Sequence, residues 1–201
     1  IVILSVKPQF YAEVIAEIKD DVREDQIIIT IAPGKTLAWL KEQFGKNVKI
    51  VRTMPNTPAL VEAGMTAACP NEYMTKEEIA YVLTLLESFG RVEIIPERLM
   101  DTVVSVSGSS PAYVFMFIEA MADAAVSGGM PRAQAYQFAA QAVLGSAKMV
   151  LETGKHPGEL KDMVCSPAGT TIEAVRVLEE KGFRSSVIEA MKTCEEISKR
   201  M

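Results

Sequence analysis

Apolar residues follow two different spacings along the first 97 residues. Short, mainly apolar runs predict five strands, at Ile1–Val6, Gln26–Ile31, Val48–Arg52, Gly64–Ala68 and Arg91–Ile95. Apolar residues at helical spacing predict helices at Gln9–Lys19, Leu37–Phe44 and Lys76–Phe89. Strands that alternate with helices favour a largely parallel sheet covered on both faces. Right-handed crossovers then place the strand-to-helix loops along one edge, where such sheets bind ligands.

The pattern changes after Pro96. From Arg98 to Arg200 no strand is predicted, and about five helices are separated by turns rich in glycine and proline. Ser109 or Ser110 is expected to cap, and Pro111 to open, a long helix that runs to Val126. We therefore divide the chain near residues 96–100, into an α/β domain of residues 1–97 and an all-α domain of residues 98–201.

Two segments of the second domain are apolar on nearly every face. Residues 111–128 carry only Glu119 and Asp123 as charged side chains, and residues 133–151 are rich in alanine. A helix that is apolar all round must be covered on all sides, and a lone domain of this size has too little interior for several of them. The sequence therefore predicts a homodimer formed through this half. Coverage by an upstream domain is the alternative.

Composition narrows the classes of protein. Hydrophobic residues make up 49% and charged residues 23%, as in an ordinary globular protein. The net charge of −5 disfavours binding to nucleic acid. The three cysteines are odd in number and far apart, which fits reduced thiols in the cytoplasm. The single histidine, His156, leaves no basis for a histidine-rich metal site, so no metal is expected.

No apolar run approaches the roughly 20 residues of a membrane span, so no membrane segment is expected. The chain begins at Ile1, inside a predicted strand, without a polar lead. We expect an upstream segment to precede it.

Two loops follow predicted strands and are candidates for binding. Ser5-Val6-Lys7-Pro8 ends the first strand, and Lys7 either neutralises a phosphate or is simply solvated. The run 52–58, Arg-Thr-Met-Pro-Asn-Thr-Pro, follows the third strand. Its two prolines make a rigid loop, in which the Asn56 amide offers donors and an acceptor. This run is either a ligand-recognition loop or a structural turn.

A third candidate lies at 160–179, Leu-Lys-Asp-Met-Val-Cys-Ser-Pro-Ala-Gly-Thr-Thr-Ile-Glu-Ala-Val-Arg-Val-Leu-Glu. A helix is predicted to end near Val164 and another to begin at about Thr170. The first amides of that second helix have no partner within it and attract an anion. Gly169 allows close approach to the backbone, and the hydroxyls of Thr170 and Thr171 add directional bonds. The residues fit a carboxylate site and an ordinary Ser/Thr helix cap equally well.

Together these segments resemble the pyrroline-5-carboxylate reductases. The stretch 160–179 is similar to that family's signature, and further likeness lies in Ser-Val-Lys-Pro, in 52–58, in Val-Ser-Gly-Ser-Ser-Pro-Ala-Tyr (106–113) and in His-Pro-Gly-Glu-Leu-Lys-Asp (156–162). The resemblance runs through the whole chain. It implies an incomplete Rossmann-type doubly wound sheet followed by a helical dimerisation domain.

The resemblance also implies a reaction and its residues. Hydride would pass from NADPH, or NADH, to the imine carbon of 1-pyrroline-5-carboxylate, giving L-proline in the last step of proline synthesis. Thr171 would bind the ring nitrogen, and Ser166, Gly169 and Thr170 the carboxylate. The nicotinamide half of the cofactor would be lined by Ser5, Val6, Lys7, Pro8, Ile31, Ala32, Pro33 and Asn56. Members of the family form dimers and often larger rings, such as decamers.

Two departures from the family pattern stand out. The family's amino-terminal strand, glycine loop and helix are absent before Ile1, so a chain that truly starts there is expected to bind the cofactor poorly and to show no activity. Ser110 stands where glycine is usual. Two other functions stay open. One is a reductase of β-hydroxy acids with Lys148 or Lys161 as catalyst, and the other is a non-catalytic paralogue that serves as an oligomerisation module.

Overall fold

A computed structural model describes residues 1–200. Five strands form one sheet in the order β1-β2-β3-β4-β5. They are β1 (Val2–Leu4), β2 (Ile27–Thr30), β3 (Lys49–Met54), β4 (Gly64–Pro70) and β5 (Gly90–Ile94). Each overlaps a strand predicted from the sequence.

The sheet is mixed. β1, β2 and β3 are parallel to one another and β5 is parallel to β4, so the prediction of a largely parallel sheet is correct. β3 and β4, however, pair in antiparallel fashion, with Met54 opposite Ala67 and Val51 opposite Pro70. The expectation that all strand-to-helix loops share one edge is therefore wrong for β4 and β5, whose carboxyl ends lie at the opposite edge.

Helices cover both faces of the sheet. Helices α1 (Tyr11–Ile18) and α2 (Leu37–Phe44) pack on one face, in a core that includes Ile15, Leu40 and Ile50. Helix α3 (Lys76–Glu87) packs on the other face, against Ile29 and Val51. Successive strand residues point to opposite faces, so the unbroken apolar run of β2 feeds both cores. This is a doubly wound, Rossmann-like arrangement.

The ends of these helices follow from local chemistry. The Thr75 hydroxyl accepts from Glu78 N and the Glu78 carboxylate accepts from Thr75 N, a capping box that starts α3. Gly45, with φ at 65°, ends α2 in the left-handed conformation that glycine adopts without strain.

The rest of the described chain is helical. The elements are α4 (Met100–Val103), a π-helical segment (Val104–Gly108), α5 (Ser110–Ser127), α6 (Arg132–Thr153), α7 (Pro157–Val164), α8 (Thr170–Glu180) and α9 (Phe183–Ser198). No strand occurs between residues 98 and 200, as predicted. The first of these elements run into one another, so that Glu97–Ser127 is one long helix.

The predicted start of that helix is wrong. Ser110 Oγ donates to the carbonyl of Val106, four residues earlier, at 2.6 Å, and caps nothing. Ser109 N bonds to Val104 O at 2.8 Å, within the π-helical segment. Pro111 is tolerated inside the long helix because the widened π turn changes the backbone bonding just before it.

The long helix also corrects the expectation about membrane segments. By length and composition Glu97–Ser127 could cross a membrane, with a mean hydropathy of 1.2 and only 6% of that window buried within the single chain. A helix that packs between protein surfaces passes the same test. Length and composition therefore leave open what covers this helix.

The chain forms two compact units. One comprises Ile1–Pro111 and the end of the chain from Met191, and the other comprises Ala112–Ala190. Within the first, Ser198 Oγ donates to Asp101 Oδ1 at 2.7 Å, which ties α9 to α4. Within the second, the rings of Phe117 and Phe183 lie 6.0 Å apart. The division at residues 96–100 stays a prediction.

Candidate functional site

Two of the predicted cofactor loops and Asn56 follow neighbouring strands at one edge of the sheet. Because β1, β2 and β3 run parallel and side by side, their carboxyl ends lie next to each other. Ser5–Pro8 follows β1, Ile31–Pro33 follows β2 and Asn56 follows β3. Clefts outside the carboxyl ends of parallel strands are where ligands bind in sheets of this kind.

An apolar groove of about 810 Å³ opens on the α3 side of this edge. Its lining combines alternate residues of β1 and β2, the connection after β3, the end of α3 and one residue of the π-helical segment. The lining residues are Ile3, Ile29, Ile31, Thr53, Pro55, Asn56, Thr57, Ala59, Leu60, Leu85, Leu86, Phe89 and Gly108.

The predicted residues divide into three groups in the structure. Ile31 and Asn56 line the groove. Ala32 and Pro33 do not line it but line a separate small cavity, together with Met100 and Val104 of the long helix. The residues of Ser5–Pro8 are at the same edge but are not part of the groove lining, and Ser5, Val6 and Lys7 are exposed.

Tyr11 ties the first two of these loops together. Its buried hydroxyl donates to Leu4 O at 2.6 Å and accepts from Ile31 N at 3.2 Å, so it bridges the ends of β1 and β2. Burial raises the pKa of the Tyr11 hydroxyl, partly offset by its backbone hydrogen bonds. The group therefore stays protonated at neutral pH and keeps the hydrogen that it donates.

Asn56 is held from two sides. Its Oδ1 accepts from Met65 N at 2.8 Å, and its Nδ2 donates to Ser107 O at 3.0 Å. The side chain thus joins the connection after β3 to β4 and to the π-helical segment. One hydrogen of the amide and one lone pair of its oxygen remain for a ligand.

Gly108 lets the long helix approach β3 closely. A Cβ at this position would lie 3.0 Å from Met54 Cε, so even alanine would need the Met54 side chain to shift. π-helical segments often occur at functional sites. Here the segment ends at the groove.

Several groove residues were missed in the sequence. Ile3 and Ile29 belong to strands that were predicted, but they were assigned only to the core, whereas Thr53 was part of the candidate loop 52–58. The signal for Ile29 is alternation, because Ile29 on β2 and Ile31 just after it are two residues apart and therefore share a face. Leu85, Phe89 and Gly108 come from distant segments, and no local pattern marks them.

The predicted substrate loop lies in the other unit. Gly169 N donates to Ser166 O at 3.0 Å, which closes a turn with Pro167 and Ala168 at its centre. Helix α8 follows, and no side chain caps it. Its first amides are therefore left for a ligand or water. Ser166 and Thr170 are exposed and Thr171 is half-buried, so this face of the loop is open.

Gly169 is required for steric reasons. A Cβ there would lie 2.3 Å from Ser166 Oγ and 3.1 Å from Ser166 O. The glycine's own φ of −77° is ordinary, so its backbone freedom is not what the loop uses. The missing side chain instead leaves room for the Ser166 hydroxyl beside the start of α8.

Ala168 is strained, with φ at 57° in the left-handed region. An L-residue there costs roughly 1–2 kcal/mol. We expect Ala168→Gly to raise the free energy of unfolding by about 1 kcal/mol. Chemical denaturation measures this. The matched control is Ala174→Gly in the middle of α8, which should lower it by about 1 kcal/mol. Equal losses in both variants would contradict the strained turn.

The lysines of the alternative β-hydroxy-acid hypothesis are engaged in ion pairs. Lys148 Nζ lies 3.5 Å from Glu152, and Lys161 Nζ lies 2.6 Å from Asp162. The hydrogen bond from Asp162 raises the pKa of Lys161. A lysine that transfers a proton near neutral pH needs a lowered pKa, so the structure gives Lys161 no such role.

Comparison with known proteins accounts for both parts of the chain. Residues 97–201 match the family model described as pyrroline-5-carboxylate reductase dimerisation. A protein from Escherichia coli named pyrroline-5-carboxylate reductase is 62% identical over 201 residues, which is all of this chain and 75% of that relative. The chain belongs to the pyrroline-5-carboxylate reductase family.

Other members of the family agree. A pyrroline-5-carboxylate reductase from Methanosarcina acetivorans is 44% identical over all of this chain and 74% of its own length. The crystal structure of a Plasmodium falciparum pyrroline carboxylate reductase with NADP bound superposes with a TM-score of 0.92 at 34% identity, and the match covers 98% of this chain and 75% of that one. The resemblance inferred from residues 160–179 and the other motifs is confirmed, as are the Rossmann-like sheet and the helical dimerisation domain.

Proposed function

We propose that this protein is a pyrroline-5-carboxylate reductase that reduces the imine of 1-pyrroline-5-carboxylate to L-proline, with NADPH as its cofactor and NADH as the alternative. The observation that carries the proposal is the 62% identity to the Escherichia coli relative across all 201 residues. The match spans the loops at both candidate sites as well as the core.

The groove fits the nicotinamide end of such a cofactor. It is apolar, and it lies where the carboxyl ends of parallel strands offer backbone amides and carbonyls. When bound, the cofactor supplies a hydride. Ile31 and Asn56 would contact it in the groove, and Ala32 and Pro33 would contact it from the segment that follows Ile31. Ser5, Val6, Lys7 and Pro8 would contact it from the end of β1. The NADP of the Plasmodium falciparum structure supports a nicotinamide cofactor.

The loop before α8 fits the carboxylate of the substrate. The uncapped amides at the start of a helix bind anions, because they point outward and the helix dipole is positive there. Ser166 Oγ, placed beside Gly169, would add a hydroxyl donor, and the backbone of Gly169 and Thr170 would hold the carboxylate.

Thr171 would act on the ring nitrogen. Its half-buried hydroxyl stands on the first turn of α8, beside the amides that would bind the carboxylate. A protonated imine accepts a hydride far better than a neutral one, and solvent can supply that proton. The hydroxyl would accept the N–H of the iminium and fix the orientation of the ring.

Self-association would cover the apolar helices. Phe115 on α5 is 61% exposed and Phe138 on α6 is 67% exposed in the single chain, and the matched family model is a dimerisation domain. A second copy, packed against these surfaces, would also cover the long helix, which then spans no membrane. We infer a homodimer, with larger rings such as a decamer built from it. The acidic chain would bind no nucleic acid and would work in the cytoplasm.

Turnover measurements test this function. The protein expressed from its complete reading frame should oxidise NADPH, and more slowly NADH, only when 1-pyrroline-5-carboxylate is present. Proline should accumulate in equal amount. Absence of turnover with either cofactor would favour the non-catalytic oligomerisation module instead.

A further inference from the structure

Glu97 lies where three segments that lead to the groove meet. It is the first residue of the long helix, and its Oε1 lies 2.9 Å from Arg52 Nη1. The same oxygen accepts from Leu37 N at 2.7 Å. One carboxylate oxygen thus joins β3, the start of α2 and the start of the long helix.

Each of the joined segments leads along the chain to a residue that lines the groove. Thr53 and Asn56 follow Arg52, and Ile31 precedes α2. The π-helical segment that begins seven residues after Glu97 delivers Gly108.

The charge of the Glu97 carboxylate stabilises this junction in two ways. Arg52 is only 4% exposed and lies on a central strand, so its charge needs a close partner. Leu37 N lies at the start of α2 and has no hydrogen-bond partner within that helix. A negative charge is favourable at this position. Thr36 Oγ1 already accepts from Trp39 N. Glu97 therefore satisfies a buried cation and a helix terminus together.

The π-helical segment of the long helix is held in place by a separate hydrogen bond. Asn56 Nδ2 donates to Ser107 O, so the long helix is tied to the connection after β3 at the π-helical segment as well as to β3 itself at Glu97. Between the two ties, Met100 and Val103 pack against Ala67 and Cys69 of β4. Burial raises the pKa of the Cys69 thiol, with a smaller contribution from Glu97, so the thiol stays protonated and acts as packing.

We infer that Glu97 is a positioning residue for the nicotinamide end of the cofactor, acting through Arg52 and Leu37 and not by contact. The inference rests on the proposed function for the identity of the ligand. Loss of the carboxylate frees the start of the long helix and the start of α2, so the walls of the groove lose their fixed separation. Cofactor binding then weakens, while the loop that holds the imine's carboxylate is unaffected.

The test is a pair of matched substitutions. Glu97→Gln removes the charge but keeps the size of the side chain. Glu78→Gln is the control, because Glu78 forms an ion pair with Lys49 on the same strand β3, at 2.5 Å, and neither residue lines the groove. Both variants should lose stability in thermal unfolding. Only Glu97→Gln should raise the Kd for NADPH, measured by the cofactor's fluorescence, by about tenfold.

Steady-state kinetics add a second readout. Glu97→Gln should raise the KM for NADPH and leave the KM for 1-pyrroline-5-carboxylate within about twofold. Glu97→Asp keeps the charge on a shorter side chain and should give an intermediate Kd for NADPH. It replaces the glutamine variant in the binding measurement if that variant folds poorly. Unchanged Kd values for NADPH in both Glu97 variants would overturn the inference. Wild-type protein that binds NADPH without reducing the imine would overturn the proposed reaction alone.

Discussion

Thr171→Ala is expected to lower kcat/KM for 1-pyrroline-5-carboxylate by roughly 10- to 100-fold, with little change in the Kd for NADPH. A hydrogen bond to a charged group contributes about 1.5–3 kcal/mol, and an iminium N–H is such a group. Thr171 lies on the first turn of α8, in the other compact unit from the apolar groove. The substitution should therefore lower kcat/KM for the imine and leave the binding of NADPH nearly unchanged.

Two further substitutions separate the hydroxyl from the shape of the side chain. Thr171→Ser keeps the hydroxyl and should retain most of the activity. Thr171→Val keeps the branched shape and should lose as much as alanine does. A valine variant with wild-type kinetics would mean that Thr171 only begins α8.

Phe138→Glu on α6 is expected to convert the assembly into monomers. The side chain is 67% exposed in the single chain although it lies in the matched dimerisation region. Interfaces of obligate dimers commonly bury more than about 2,000 Å² and resemble a domain core. An unpaired carboxylate buried at such an interface costs several kcal/mol. This is more than one apolar contact contributes to the stability of the dimer. Analytical ultracentrifugation of wild type and variant measures the change.

The control for this variant is Tyr81→Glu. Tyr81 is a comparably exposed aromatic residue, but it lies on α3 in the unit that contains the sheet. That variant should keep the mass of the wild-type assembly. Wild-type protein that sediments as a stable monomer at micromolar concentration would contradict the dimer itself.

The strands and helices were predictable because their patterns are local. The run Ile27-Ile28-Ile29 is typical of a strand buried on both faces, and α3 is capped by Thr75, with a glutamate three residues later. The antiparallel pairing of β3 with β4 was missed, although the sequence carried a signal for it. Residues 55–63 are too few for a parallel crossover, which needs a dozen or more residues.

The start of the long helix was missed for a different reason. Serine and proline at 109–111 are typical of a helix start, but the preceding π-helical segment continues the helix through them. The helix is held there by tertiary contacts, of Met100 with β4 and of Ser107 with Asn56. Such contacts override local preference, and local sequence does not encode them.

The candidate site was predictable only where it follows strands. The loops after β1 and β3 were identified because loops at that edge bind ligands, whereas Ile31, Ala32 and Pro33 after β2 came only from the family resemblance. The ion pair of Arg52 with Glu97 joins residues 45 apart in the chain and depends on the whole fold. The same is true of Tyr11, whose hydroxyl reaches Ile31 twenty residues away.

Isotope transfer tests the central claim most directly. The protein is incubated with 1-pyrroline-5-carboxylate and NADPH deuterated at the transferable position of C4, and the proline formed is analysed by mass spectrometry and NMR. We predict L-proline with one deuterium on C5, the former imine carbon, and no such product without the protein. Oxidation of the cofactor that leaves no deuterium in proline would contradict the assignment of this protein as a reductase of that imine.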